Sequence, residues 1–426
     1  MKRQLQLAVL SSFRNDAAMD RESRFVRFTS TDWKRVYTWL DASGMALYFS
    51  QRARSIGEWE ALPASVRYRL DQNLADNREQ TKALLAEFAK ITRAFADTRL
   101  PFAVIKGFSL IPEYCAVESL RTQFDLDFLV RRCDAASFAN VLRTYGYSQV
   151  HEGDQNSEFK AGTDHLPSVR DLYRLKPQKS VELHYVSEDS AANLEVALLD
   201  RLQPRNVLGC EFLAPSKVDT FLLQAQHIFK HLCSEWTRVS WLLELRNFVS
   251  TERNNQPFWE DVRRQAAGRP ELATAIGAAT LLATMAFGEF APEALTGWTV
   301  HSLPRSVRLW IECYGWSALL AEFPGTKLYL LLRRELMNDS ADWRRYRRTK
   351  LLPLHRLPRV VHRPEFSIAK AFDQIRFAGV RLRFHVLEGV QYLHEAVRWN
   401  RRLRAWSLAA GERTQLDGKE CTAIDL

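Results

Sequence analysis

Two aspartates one residue apart are the feature of this sequence most suited to chemistry. Asp125 and Asp127 alternate with apolar residues in the run that spans residues 124–130. Such alternation is typical of a β-strand, in which successive side chains point to opposite faces, so both carboxylates would lie on one face. Neighbouring carboxylates repel each other, and a divalent cation that binds them together with phosphate oxygens relieves this repulsion. The pair therefore predicts a site for Mg²⁺ or Mn²⁺ beside a phosphorylated ligand.

Residues that precede the aspartates could bind the phosphates of that ligand. The apolar run at 102–105 leads directly into Lys106 and Gly107. A glycine turn after a strand lets backbone N–H groups approach a phosphate closely, and a following helix can direct its N-terminus at the anion. We expect Lys106 to add positive charge beside a triphosphate and Arg121 to pair with it bidentately.

A third carboxylate appears further along the chain. Glu182 stands in the strand-like run at 181–186, and we predict that it is either the third metal ligand or the base that activates an acceptor hydroxyl. His184 shares its face of the strand and is a candidate for the same site. His165 could also approach this site, but His184 is the more plausible of the two histidines.

The elements that must position these residues mix strands with helices. Four strands and two helices are predicted between residues 99 and 215: strands at 102–105, 124–130, 169–175 and 181–186, and helices at 109–117 and 135–145. Gly146 would cap the second helix. This order predicts an α/β or α+β core.

Helical patterns dominate on both sides of this core. Residues 30–98 read as helices, and later helices are predicted at 218–233, 241–249, 272–287 and 368–406. We therefore predict three parts: an N-terminal helical region at 1–98, the core at 99–215, and a C-terminal basic helical region at 216–426.

The composition is that of a folded, basic protein. The chain has 426 residues, of which 46% are hydrophobic and 26% charged, with a net charge of +10. The segment 331–383 holds 14 Lys and Arg against 5 Asp and Glu, so most of the excess lies there. Such a segment favours an acidic partner, although a solvated helical face gives the same pattern.

No part of the sequence predicts export or a transmembrane segment, although the basic and partly amphipathic helix at 368–406 leaves a role at a membrane surface open. The N-terminus lacks the long apolar stretch of a secretory signal. The uncharged run at 272–288 is shorter than the roughly 20 apolar residues that span a bilayer, so we predict a buried helix there and no transmembrane segment. The six cysteines are scattered, which is typical of a reducing compartment, and we expect a cytoplasmic protein.

The spacing of the candidate site residues resembles that of an uncharacterised bacterial nucleotidyltransferase-like family. The resemblance rests on a K-G turn at 106–107, an R-x-x-x-D-x-D-x-L-V strand at 121–130 and an acid-x-His strand that begins at Glu182. It is specific over about residues 100–186. It implies an α+β fold with a small mixed sheet and helices. It also implies transfer of a nucleoside monophosphate from a nucleoside triphosphate to an acceptor hydroxyl. Whether the acceptor is a sugar, glycan, protein or RNA stays open.

The resemblance also implies roles for individual residues. Asp125, Asp127 and Glu182 would be catalytic and hold the metal. The nucleotide would be bound by Lys106, Gly107, Ser109, Arg121 and His184. Ser109 stands one place after the position at which the wider superfamily usually has its serine, because Phe108 follows the glycine.

Other interpretations stay open at this point. The protein could keep the fold as a catalytically inactive nucleotide-binding or partner-binding module. Trp343, Tyr346 and the arginines at 344–348 could instead bind nucleic acid, although such a cluster is also typical of a surface helix. His227 and His231 share a helical face and could bind a metal, but a structural pair is the more common explanation.

Overall fold

The computed structural model describes residues 1–14, 24–162, 172–174, 178–186, 198–352 and 368–420. The predicted strand at 169–175 falls mostly outside these ranges, and its described residues, 172–174, form a bend. His165 lies outside the described residues. Within the described ranges, the N-terminal region contains five helices: α1 (Lys2–Ser11), α2 (Ser30–Lys34), α3 (Tyr37–Ala42), α4 (Met45–Ser55) and α5 (Ala64–Asp97).

A small mixed sheet follows α5. Its strands are β1 (Phe102–Ile105), β2 (Asp125–Arg131), β3 (Ser148–Glu152), β4 (Asn156–Ala161) and β5 (Lys179–Val186). They are arranged in the order β1-β2-β5-β4-β3. The pairing of β2 with β5 is parallel and the other pairings are antiparallel. A separate hairpin is formed by β6 (Gln203–Val207) and β7 (Cys210–Ala214). The predicted α+β class with a small mixed sheet is therefore confirmed.

One face of the sheet is covered by helices. Helix α6 (Ala135–Thr144) begins shortly after β2 and ends before Gly146, whose φ of 81° is the left-handed conformation that favours glycine. It packs together with the last part of α5 on the sheet, where Phe95 and Phe138 lie against Phe128 of β2. This packing directs the alternate side chains of β2 and β5 to the opposite face of the sheet.

The chain after β7 is helical. Its helices are α7 (Lys217–Leu232), α8 (Val239–Thr251), α9 (Gln256–Ala266), α10 (Pro270–Phe287), α11 (Glu293–Thr296), α12 (Arg305–Leu320), α13 (Tyr329–Leu336), α14 (Ser340–Leu351) and α15 (Ile368–Glu420). These helices share one hydrophobic core with the N-terminal helices. The Trp39 indole, for example, donates a hydrogen bond of 3.0 Å to the Leu319 carbonyl. The predicted boundaries at 98 and 215 fall between elements, and the division into three parts stays a prediction.

The predicted helix at 109–117 is wrong. The structure has a short 3₁₀ helix at Gly107–Leu110 and then turns. Pro112 explains the difference, because it has no N–H to donate and its ring blocks a continuous helix. The loop that follows leads through a second short 3₁₀ helix, Glu118–Leu120, into β2.

The predicted buried helix at 272–287 is confirmed as α10. Among the described residues it is the one helix long and apolar enough to cross a membrane by length and composition, and 61% of it is buried inside the protein. Burial of this kind is usual for the core helix of a folded domain. The cytoplasmic location stays a prediction.

Candidate metal and nucleotide site

Strand register brings the predicted acidic residues together. In the parallel pairing of β2 with β5, Asp127 lies opposite Glu182, and in the antiparallel pairing with β1 it lies opposite Ile105. Because side chains alternate along each strand, Asp127, Glu182 and His184 share the face of the sheet that α5 and α6 leave uncovered. Asp125 is on this face too, opposite Ser180.

A compact cluster of charged side chains forms on this face. The Lys106 ammonium donates a hydrogen bond of 2.7 Å to Oδ1 of Asp127. His184 Nε2 lies 2.8 Å from the same oxygen and 3.2 Å from Oε2 of Glu182. The Asp127 side chain is only 4% exposed, so its charge interacts strongly with its neighbours.

The cluster shifts the pKa of each member. Burial and the charges of Asp127 and Glu182 raise the pKa of Asp125 to about 7. Burial also opposes ionisation of Asp127, but Lys106 and His184 outweigh it and hold the pKa of Asp127 below its usual range. The hydrogen bond from His184 lowers the pKa of Glu182. Asp127 and Glu182 are therefore ionised at neutral pH, as metal ligands must be.

The two basic groups respond in the opposite direction. Although burial disfavours the imidazolium, hydrogen bonds to Asp127 and Glu182 raise the pKa of His184. Burial likewise disfavours the ammonium of Lys106, and the charge of Asp127 raises its pKa. The ammonium of Lys106 thus offsets carboxylate charge within the fold.

The donor atoms match the size of a single cation site. One ligand atom each from Asp127, Glu182 and His184 lie within 4.8 Å of one another. Ligands at about 2.1 Å on opposite sides of a Mg²⁺ ion are about 4.2 Å apart, so these side chains can reach one ion with small movements. Carboxylates suit Mg²⁺ or Mn²⁺, and the imidazole favours Mn²⁺ over Mg²⁺. Asp125 is not part of this group of three.

A tight turn places Lys106 beside the carboxylates. Lys106 has a φ of 55° and Gly107 a φ of 45°, both in the left-handed region. A Cβ atom on Gly107 would lie 2.3 Å from Nε2 of Gln123, so another residue there would displace the end of that side chain and adopt a strained φ. The Ser109 amide and hydroxyl donate hydrogen bonds of 2.9 and 2.7 Å to the Lys106 carbonyl and thereby hold the turn. The nucleotide contacts of Gly107 and Ser109 stay predictions.

Arg121 lies in a buried network apart from this cluster. Its Nε is 3.2 Å from Oε1 of Glu244, on α8, and Glu244 is 1% exposed. The Tyr48 hydroxyl donates a hydrogen bond of 2.8 Å to the same carboxylate. In this arrangement the guanidinium compensates a buried charge and ties the loop before β2 to α8. Its predicted contact with phosphate stays a prediction.

A cavity of about 730 Å³ opens beside the cluster. The sheet contributes Lys106 and His184 to its wall, and α7 contributes Gln224, His227 and Lys230. Nucleotides are of a size to occupy such a volume. Gln224 and Lys230 were missed as site candidates, and His227 was considered only as a possible metal ligand together with His231, although Gln224, His227 and His231 follow one another at the spacing of one helical face.

The two histidines of α7 form an aromatic group with Trp241. Each pair of rings among His227, His231 and Trp241 has centroids 4.6 Å apart. Burial, the neighbouring His231 and the positive charge of Lys106 hold the pKa of His227 well below its usual value. His227 is therefore neutral at physiological pH, and it forms part of the cavity wall.

The arginine cluster of α14 is a separate surface. Trp343 is buried, and the arginines at 344, 345, 347 and 348 lie on the exposed side. The acidic partner predicted for segment 331–383 stays a prediction.

Comparison with protein families identifies this chain as nucleotidyltransferase-like. The chain matches the model of a family described as uncharacterised nucleotidyltransferases over residues 29–288, and it belongs to that family. The resemblance found in the sequence is thus confirmed, and the family implies a nucleotide as substrate. A similar solved structure is an antigenic nucleotidyltransferase-like protein from Paracoccidioides brasiliensis, with 11% identity and a TM-score of 0.30. That match covers 51% of this chain and 97% of the other. No curated protein matches the chain.

Proposed function

We propose that this protein is a divalent-metal-dependent nucleotidyltransferase that transfers a nucleoside monophosphate from a nucleoside triphosphate to an acceptor hydroxyl. The observation that carries the proposal is the convergence of Asp127, Glu182 and His184 within 4.8 Å of one another, beside Lys106 and a cavity of about 730 Å³. The family supports the same class of reaction.

Asp125, Asp127 and Glu182 are the metal ligands in this proposal. A Mg²⁺ or Mn²⁺ ion held there supplies positive charge that stabilises the phosphate oxygens during transfer. His184 orients Asp127 and Glu182 through its hydrogen bonds, or adds a nitrogen ligand. Burial and the other two carboxylates raise the pKa of Asp125, which shows that the fold concentrates negative charge here and that a further cation would relieve it.

Lys106 and Lys230 are the candidate triphosphate ligands from the chain itself. Both line the cavity, one at the end of β1 and the other on α7. In the transfer, the acceptor oxygen forms a bond to the α-phosphorus and the bond from this phosphorus to the β-phosphate oxygen breaks. Pyrophosphate leaves, and the hydroxyl proton passes to a carboxylate; Glu182 is the candidate for this base if Asp125 and Asp127 hold the metal without it.

A nucleotide-binding protein without turnover is the second candidate. One contact favours it: the ion pair of Lys106 with Asp127, at 2.7 Å, already neutralises a carboxylate that the metal would use. In that case the site would bind a nucleotide through Lys106 and leave it intact.

Calorimetric titration with each nucleoside triphosphate, with and without Mg²⁺ or Mn²⁺, tests the proposal. Wild type should bind a triphosphate only with metal, and the Asp127→Asn/Glu182→Gln variant should lose at least tenfold in affinity. Asp97→Asn is a matched control, because Asp97 is exposed at the end of α5. Metal-independent binding by wild type would favour the second candidate. If Asp127→Asn/Glu182→Gln binds the triphosphate as tightly as wild type does, the proposed site is refuted.

A further inference from the structure

The long C-terminal helix, α15, exposes an apolar stripe. Of the 16 large hydrophobic residues that are exposed in the described part of the chain, 8 lie on this helix, with 54–69% of their surface in solvent. They are Ile375, Val380, Leu382, Val386, Leu387, Val390, Leu393 and Val397. Most of them recur at steps of three and four residues, so they form one continuous face. Contiguous exposed apolar surface of this kind marks an interaction site.

The opposite face of α15 is fixed to the rest of the protein. Tyr392 and Trp399 are buried there, and the Trp399 indole donates a hydrogen bond of 3.3 Å to Glu335 of α13. The Tyr314 hydroxyl donates a hydrogen bond of 3.0 Å to Glu395. The helix is thus held in one orientation, and the stripe faces outward over residues 375–397, a length of about 35 Å at 1.5 Å per residue.

Basic side chains border the stripe. Arg376, Arg383 and Arg401 are exposed. The three side chains project from the same edge of the helix, because they are separated by seven and eighteen residues, which are close to whole numbers of helical turns. The acidic residues of the same stretch point elsewhere: Glu395 accepts the Tyr314 hydrogen bond, and Glu388 accepts one of 3.3 Å from the Lys327 amide. The exposed face is therefore apolar and positively charged.

This charge decides between the occupants that could cover the stripe. A second copy of α15 would bring its own arginine edge against the first, and like charges in contact oppose association. Residues 353–367 of the chain are also basic, with Arg356, Arg359 and Arg363 against Glu365. The occupant must be anionic. The stripe is entirely aliphatic and lacks the Trp, Tyr and Met anchors of protein interfaces, which favours lipid over an acidic protein.

We propose that α15 binds flat on the surface of a membrane that contains anionic phospholipids. The aliphatic stripe enters the boundary between headgroups and acyl chains, and the arginine edge contacts headgroup phosphates, as in amphipathic helices that lie in the membrane interface. This inference concerns a surface distinct from the nucleotide site and stands independently of the proposed function.

Co-sedimentation of the full-length protein with vesicles tests the proposal. Vesicles of phosphatidylcholine alone are compared with vesicles of phosphatidylcholine and phosphatidylglycerol at one salt concentration. Wild type should bind the anionic vesicles only. Leu382→Ser/Val386→Ser/Val390→Ser should lower the bound-to-free ratio at least tenfold. Arg383→Gln/Arg401→Gln should lower it roughly 25-fold, at about fivefold for each arginine.

Matched controls separate the stripe from general surface properties. Val26→Ser removes an equally exposed apolar side chain elsewhere, and Arg263→Gln/Arg305→Gln removes the same charge, so both should bind as wild type does. Equal binding of wild type and the serine variant to anionic vesicles would overturn the proposal, as would binding to neutral vesicles alone. So would light scattering that shows a wild-type dimer which the serine variant converts to a monomer, since a second copy would then cover the stripe.

Discussion

Replacement of Arg121 by glutamine tests whether this residue supports the fold or contacts phosphate. The guanidinium pairs with Glu244, which is 1% exposed, so its loss leaves a buried carboxylate with the hydrogen bond from the Tyr48 hydroxyl and the charge of Arg238 nearby. Breaking a buried ion pair from one side costs about 3–5 kcal/mol. The glutamine amide can return one neutral hydrogen bond of about 1 kcal/mol, so we expect a loss of about 2–4 kcal/mol in the free energy of unfolding.

Urea unfolding followed by tryptophan fluorescence measures this loss. Lys82→Gln is the control, because its ion pair with Glu79 is exposed and such pairs contribute about 0–1 kcal/mol. Arg121→Met/Glu244→Leu should be more stable than Arg121→Gln, since neither charge is then left alone. If Arg121→Gln unfolds at the same urea concentration as the control yet loses nucleotide affinity, the structural role is refuted and the arginine contacts phosphate.

Three further predictions follow from contacts near the sheet. Lys106→Met should lower stability because Asp127 loses its ion pair and keeps its contact with His184, and Mn²⁺ should restore the urea midpoint if a cation can replace the ammonium. Gly107→Ala should destabilise the protein more than Gly146→Ala does. Both glycines have a left-handed φ, but only at Gly107 would the added Cβ lie close to another side chain, 2.3 Å from a nitrogen atom. Burial opposes ionisation of Glu87, but hydrogen bonds from a lysine and a tyrosine outweigh it and lower the pKa of this carboxyl group in the folded protein. The carboxylate therefore stabilises the fold above the pKa that Glu87 has in the unfolded chain. This stabilisation is lost as the pH falls through the lower pKa of the folded protein. The stability difference between wild type and Glu87→Gln should thus shrink below about pH 4.5, and a difference that grows in acid would contradict the assignment.

Local pattern was sufficient to predict the strands that carry the site. The alternation around Asp125 and Asp127 is a property of the chain at that point, as is the apolar run that ends at Lys106. The residue types also suggested a metal and phosphate site, which stays a prediction. The match to the family model confirms the predicted family, and the observed sheet confirms the predicted fold class.

Local patterns could not predict which strands pair when they are far apart in the sequence. That Asp127 lies opposite Glu182 depends on the parallel register of β2 with β5, which packing sets across more than fifty residues of intervening chain. The place of Arg121 against Glu244 and of Lys230 in the cavity wall depends on how α7 and α8 dock on the sheet. The helix expected at 109–117 was wrong for a local reason, since Pro112 interrupts it after one short turn.

Direct counting of bound Mn²⁺ by electron paramagnetic resonance tests the central claim, that Asp127 and Glu182 hold a divalent metal. Wild type in the presence of a nucleoside triphosphate should bind at least one Mn²⁺ per chain beyond what the free nucleotide binds. Asp97→Asn should behave like wild type, and Asp127→Asn/Glu182→Gln should bind none. If that double variant stays folded and binds as much Mn²⁺ as wild type does, these residues are not the metal site and the proposed function loses its basis.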